Sequence, residues 1–101
     1  MGWGEQPFNP AVARKLINMI LDERGFVRVS DHAVKEMGND DLDMMDANNV
    51  LRCGQVQPAE WVNGEWRYRV ETPRMLVVIA FDDSSEDDDE ICICVVTAWR
   101  K

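Results

Sequence analysis

Residues 56–71 read VQPAEWVNGEWRYRVE, and this stretch decides the fold. Asn63-Gly64 sits between two runs in which apolar and polar residues alternate. That dipeptide suits the two positive-φ positions of a two-residue hairpin turn. The flanks therefore predict strands over residues 56–62 and 65–71. Trp66, Tyr68 and Val70 fall on one face of the second strand, and Arg67 and Arg69 on the other. Pro58 suits an edge strand, where a missing N–H breaks no ladder bond.

Upstream of Gly54 the period is helical. Asn9 reads as an N-cap and Pro10 as the first helical residue, where its absent N–H costs nothing. Val12, Leu16, Ile17, Ile20 and Leu21 then recur at helical spacing as far as Gly25, predicting a helix over 10–24. Residues 26–29, FVRV, are short and β-prone. Ser30 reads as the cap of a short helix over 31–37 that stops at Gly38. Asn39 or Asp40 would cap a third helix running to about Cys53, with Leu42, Met45, Val50 and Leu51 facing inward and Gly54 ending it. Asp40, Asp41 and Asp43 would lie in its first turn, where the helix dipole favours negative charge.

Downstream, residues 75–81 (MLVVIAF) and 91–99 (ICICVVTAW) are apolar on both faces. Such runs predict strands covered on both sides. The whole reads as an α+β domain spanning residues 1–101, with N-terminal helices packed on a four-stranded antiparallel meander. A 101-residue chain that is 46% hydrophobic can build one core without a metal or disulfide staple. In a simple meander the last strand would be an edge, with no proline or charge between Ile91 and Ala98 to protect it. Residues 26–29, a second copy of the chain forming a homodimer, or a partner protein would have to cover it.

The net charge is −8, but seven of the nineteen acidic residues lie in residues 82–90, DDSSEDDDE. Without them, twelve acids face eleven bases. The acidity is thus one local feature, expected to be a solvated hairpin loop. It lacks the glycine and ligand alternation of an EF-hand calcium loop. Nucleic-acid binding through bulk charge is disfavoured, while a local basic site stays open. The opening MGWGEQPFNP has neither the basic region nor the apolar stretch of a secretory leader. No apolar run approaches the ~20 residues of a membrane helix. Three cysteines, an odd number, then point to a reducing cytoplasm. No membrane contact and no cofactor are expected.

Several residues could carry chemistry. His32, the chain's single histidine, falls in the first turn of the short helix after Ser30. A histidine there, beside a bound phosphate, can act as a general base, although capping or packing is the commoner role of a lone histidine. Arg67 and Arg69 share a strand face and Arg74 follows the next turn. Guanidinium forks bind phosphate bidentately, but a solvated strand face with Glu65 and Glu71 balancing the charge accounts for them as well. Trp61, Trp66, Tyr68 and Trp99 could stack on bases or simply pack the sheet. Cys92 and Cys94 would stand about 7 Å apart on one strand face, too far for an unstrained disulfide. Adding Cys53 and His32 would make a zinc set, but no zinc-knuckle spacing supports it, so small buried cysteines are expected and no metal.

With these residues in place, the chain from about Ser30 to Trp99 resembles a family of small bacterial domains. Its members carry a His-Ala-x-x-Arg-Met helix, a second helix ending near glycine, and a meander ending in Val-Thr. The matching stretches are His32-Ala33-Val34-Lys35-Glu36-Met37, Asn49-Val50-Leu51-Arg52-Cys53-Gly54, Trp66-Arg67-Tyr68-Arg69 and Val95-Val96-Thr97-Ala98-Trp99. That family is similar to the RelE and BrnT type of ribonuclease toxins. The resemblance implies cleavage of RNA, a cognate antitoxin as partner, and a site of His32 as acid or base, Arg67 or Arg69 as phosphate ligand, and Thr97. Glu36 stands where the family motif has arginine, one helical turn after His32, and a carboxylate there repels phosphate.

Overall fold

A computed structural model describes residues 6–24, 27–82 and 92–101. The acidic stretch 83–90, the expected helix stop at Gly25, and the strand-flanking residues Phe26 and Ile91 lie outside the described residues.

Helix α1 (Pro10–Met19) starts as the sequence predicts: the Asn9 side chain accepts from the Val12 amide, and Pro10 is the first helical residue. A π-helical turn, Ile20–Arg24, continues it. Ala13, Leu16, Ile17 and Ile20 are fully buried along one side. Strand β1 (Val27–Val29) follows, and then helix α2 (Asp31–Asn39), capped by Ser30 through the Ala33 amide. Gly38 does not stop α2. The chain turns three residues later, where Asp41 takes a positive φ of 57°, Asp41 N–H reaches Gly38 O and Leu42 N–H reaches Met37 O at 2.8 Å. This is a Schellman stop, with Leu42 and Met37 both buried as its hydrophobic contact.

That stop corrects the expected third helix. Residues 40–42 are outside it, and α3 (Met44–Cys53) begins with Asp43 as N-cap. Asp43 accepts from the Asp46 amide while the Asp46 carboxylate accepts from the Asp43 amide, a capping box built from two aspartates. Ala47, Val50 and Leu51 face the core, whereas Met45, expected inside, is 73% exposed. Gly54 does end the helix. A Cβ there would meet Val50 O at 2.6 Å and a Val70 methyl at 2.9 Å, so close approach, not backbone handedness, demands glycine. The Arg14 guanidinium donates to Leu51 O, Arg52 O and Gly54 O. It thereby satisfies carbonyls that a helix C-terminus leaves unpaired, and ties α1 to the end of α3.

The expected four-stranded antiparallel meander becomes a six-stranded mixed sheet ordered β1-β6-β5-β4-β2, with β3 also pairing β4. Around Pro58 the anticipated strand 56–62 breaks into β2 (Gln55–Val56) and β3 (Glu60–Val62). Both pair antiparallel with β4 (Glu65–Glu71). Asn63 and Gly64 take φ of 51° and 83°, the primed turn that the dipeptide predicts. Strands β5 (Met75–Asp82) and β6 (Cys92–Arg100) extend the sheet antiparallel. The sixth strand is β1, parallel to β6, with Val27, Arg28 and Val29 opposite Ile93, Cys94 and Val95.

All three helices pack on one face. Their buried residues form one cluster with Tyr68, Val70, Val77, Ile79, Phe81, Ile93, Val95 and Ala98. Phe8 joins it, its ring 5.6 Å from Phe81 and its amide donating to the buried Tyr68 hydroxyl at 2.9 Å. Among the described residues, no helix is long and apolar enough to cross a membrane.

Candidate functional site

The second face of the sheet carries the candidate residues. On β4, Arg67 and Arg69 alternate with the core residues Tyr68 and Val70, so they project from the side opposite the helices. On β5 the same side holds Leu76, Val78 and Ala80. All are buried, yet none belongs to the helix-side core. The expectation that β5 is covered on both sides holds for its burial. Among the described residues, however, no helix lies over this face, and the central strand is flanked by Arg67 and Arg69 of β4 and by Cys94, Thr97 and Trp99 of β6.

A bulge sets which β6 residues appear here. Val78 pairs with Thr97 but Ile79 pairs with Val95, leaving Val96 as the extra residue. Without it, Thr97 and Trp99 would share the core face with Ile93 and Val95. With it, Ala98 turns into the core and Thr97 and Trp99 turn out. Nothing in the run Val95-Val96-Thr97-Ala98 signals this. Ser30 holds the bulge: its amide donates to Val95 O at 3.0 Å and its hydroxyl to Val96 O at 2.9 Å. The same cap that starts α2 therefore aims Thr97.

The register then places Arg69, Val78 and Thr97 in one cross-strand row. Neighbouring strands lie about 4.8 Å apart, so an anion above Val78 stands one strand spacing from Arg69 on one side and Thr97 on the other. Arg28, opposite Cys94 on β1, is on this face too. Sequence reasoning passed over it. The charged residue alternating with Val27 and Val29 was the available signal, legible only once β1 is known to pair with β6.

His32 stands apart from the arginines. It lies in the first turn of α2, which runs alongside β6 and ends where the Asp40 carboxylate accepts from the Arg100 amide at 2.9 Å. The widths of β6 and β5 separate it from β4, and its ring lies 3.9 Å from the Glu36 carboxylate. The arginines also have carboxylate partners: Arg67 with Glu65 at 2.9 Å and Arg69 with Glu60 at 3.2 Å. Arg74 is exposed in the β4–β5 turn, off the arginine row.

The remaining candidates disperse. Trp66 packs against the core and Trp61 meets it edge-on at 5.1 Å while staying 61% exposed. Tyr68 is wholly buried. Cys53 is exposed at the end of α3, correcting its assignment as a buried cysteine, and Cys92 and Cys94 are half-buried on the sheet. Among the described residues, no group of three potential metal ligands converges.

Comparisons with family models, with curated proteins and with solved structures find no match to this chain.

Proposed function

We propose that this domain is a RelE/BrnT-like toxin component that acts on RNA across the helix-free face of its sheet, without a metal. The observation that carries this is the row Arg69–Val78–Thr97, a cationic fork and a hydroxyl on either side of an apolar strand. A phosphodiester lying over Val78 is within reach of both. The charged guanidinium stabilises negative charge as it develops on the phosphorane. The chemistry is attack of a ribose 2′-hydroxyl on its own 3′-phosphate. The new O2′–P bond forms as the P–O5′ bond breaks, and the proton lost by the 2′-oxygen is balanced by one gained by the leaving 5′-oxygen. The resemblance assigns proton transfer to His32, which the helix flanking β6 holds two strands from Arg69. The row is therefore proposed to bind and stabilise the phosphate, and His32 to act on a 2′-oxygen at the β6 side of it.

A second reading, a non-catalytic protein-binding module, is favoured by the carboxylates beside His32, Arg67 and Arg69: Glu36, Glu65 and Glu60. Inducible expression separates the two. A ribonuclease arrests growth and cleaves RNA in the presence of EDTA, and Arg69→Ala, Thr97→Ala and His32→Ala each abolish both effects while melting like the parent. A domain that neither arrests growth nor cleaves RNA is the binding module.

A further inference from the structure

At one end of the sheet, the β4–β5 turn, the last residues of the chain and the start of α3 enclose an open cleft of about 460 Å³. Arg74, Arg100 and Lys101 line it, against a single lining acid among the described residues, Asp46. The Asp46 carboxylate is already engaged, accepting from the Asp43 amide at 3.1 Å in the capping box. Leu42 and Met75, both 8% exposed, give the cleft an apolar floor. In a chain of net charge −8 this lining is an exception.

The three cations differ in how firmly they are held. Lys101 pairs with Glu71 at 3.2 Å. Among the described residues, the Arg100 guanidinium makes only a 3.5 Å contact, to Asp41 O, while its amide is fixed by Asp40. The Arg74 guanidinium has no hydrogen bond or ion pair among the described residues, although the Arg74 backbone is pinned by Thr72 Oγ1 and by the Lys101 amide. Two forks on anchored backbones, with little to bind internally, are suited to an oxyanion that accepts bidentate bonds. The volume falls in the range of small-ligand pockets.

We propose that this cleft is a phosphate subsite that holds a nucleotide of the RNA strand flanking the one over Val78. The cleft lies on the helix side of the sheet's end: Arg100 has the parity of the core residue Ala98, and Leu42 and Met75 belong to the helix-side cluster. Trp99, on the helix-free face with Thr97, precedes Arg100, and Thr97 lies three residues or about 10 Å from Arg100 along the strand. A strand of RNA crossing the arginine row reaches the cleft by passing round this end of the sheet, beside the exposed Arg74. The inference rests on the RNA-directed reading for its ligand, but the site can be tested without cleavage.

The probe is adenosine 5′-monophosphate, titrated into the full chain while backbone amide shifts are followed. The expected result is saturable movement confined to residues 73–75, 99–101 and the first turn of α3. The joint variant Arg74→Ala/Arg100→Ala should weaken it at least about tenfold, the scale of one lost charge-assisted bond. Arg69→Ala should leave it unchanged. Arg74→Lys, which keeps charge but loses the fork, should fall between. A variant with native amide dispersion that still binds the nucleotide equally well overturns the subsite. So does movement spread evenly over the surface, or a cleft that takes an aspartate-rich peptide in preference to the nucleotide. Nucleotide binding in a protein that cleaves no RNA leaves the subsite standing and removes the ribonuclease reading.

Discussion

The two sides of β4 are one residue apart in sequence and have opposite fates. Tyr68 and Val70 are completely buried, and Arg67 and Arg69, interleaved with them, look outward among carboxylates. The inward side is joined to all three helices in one cluster. The outward side is organised by cross-strand register alone. The difference separates two kinds of information. What the helix side specifies is the fold. What the other side specifies, through rows of residues and one bulge, is which functional groups stand near each other. Substitutions should therefore split sharply by parity along the strand.

The largest effect belongs to the helix side. Ile79, fully buried between Tyr68 and Val95 in the pairing register, should cost about 2–5 kcal/mol as Ile79→Ala, because the methyls removed leave a cavity. Arg69→Ala, on the outward side, should stay within about 0.5 kcal/mol. Urea unfolding of the two variants measures both. Equal losses would mean that the outward face is structural, and the separation drawn between the faces would fail.

Next comes the guanidinium that joins α1 to α3. Burial pushes Arg14 below its ordinary pKa, but it still serves as a charged donor to Leu51 O, Arg52 O and Gly54 O. Arg14→Ala strips these carbonyls and should cost about 1.5–3 kcal/mol. Arg14→Lys, with no fork to span three acceptors, should recover only part. If Arg14→Lys is as stable as the parent, the fork is not what closes α3.

Tyr68 is the chain's only tyrosine, so its titration can be read directly. Its hydroxyl accepts from the Phe8 amide and donates to Gln6 Oε1 at 3.1 Å. Tyr68→Phe leaves that amide without its acceptor and should cost about 1–3 kcal/mol. Burial raises the Tyr68 pKa, more than the Phe8 hydrogen bond lowers it. The folded state thus keeps a proton that the unfolded chain releases near pH 10. The associated stability is full below that pH and is lost as pH rises through the folded value. Tyr68→Phe should lack this alkaline loss. A variant that loses stability over the same interval would show that another group titrates there.

Much of this was legible in the sequence because short-range chemistry wrote it. Asn9-Pro10, Ser30, Gly54 and Asn63-Gly64 each act through their own backbone and mark their boundaries well. The failures are non-local or concern competing caps. Gly38 looked like a stop, but Asp41 adopted the left-handed residue's role, which moved the start of α3 to Asp43 and left Met45 outside. The parallel pairing of β1 joins residues far apart in the chain, and three residues carry no mark of direction. It also answers the edge problem internally: β1, Ser30 and Asp40 meet the outer edge of β6 at Val95, Val96 and Arg100. The row Arg69–Val78–Thr97 depends on the Val96 bulge, which pattern reading has no means to foresee. Thr97 and Arg69 could each be named from a family resemblance, but not that Val78 alone stands between them.

The smallest effect on stability is the one that most sharpens the contrast between faces. Glu60 and Arg69 are each half exposed and meet at 3.2 Å. An exposed pair of this kind contributes about 0–1 kcal/mol, since water screens the attraction and both side chains lose freedom. Glu60→Gln should therefore leave the melting temperature nearly unchanged. It removes the carboxylate that competes for Arg69, however, and frees the fork for phosphate. Binding of a 2′-O-methyl oligonucleotide, which cannot be cleaved by its own 2′-oxygen, should tighten, and log Kd should depend more steeply on log salt as one more cation engages the backbone. Arg69→Ala should loosen binding and flatten that slope, and in Arg69→Ala the added Glu60→Gln change should gain much less than it does alone. If Glu60→Gln tightens binding equally with and without Arg69, its effect is general charge, and the arginine row is not where RNA sits. If it does not tighten binding at all, the carboxylates on this face are partners the cations keep, as a protein-binding module would have them.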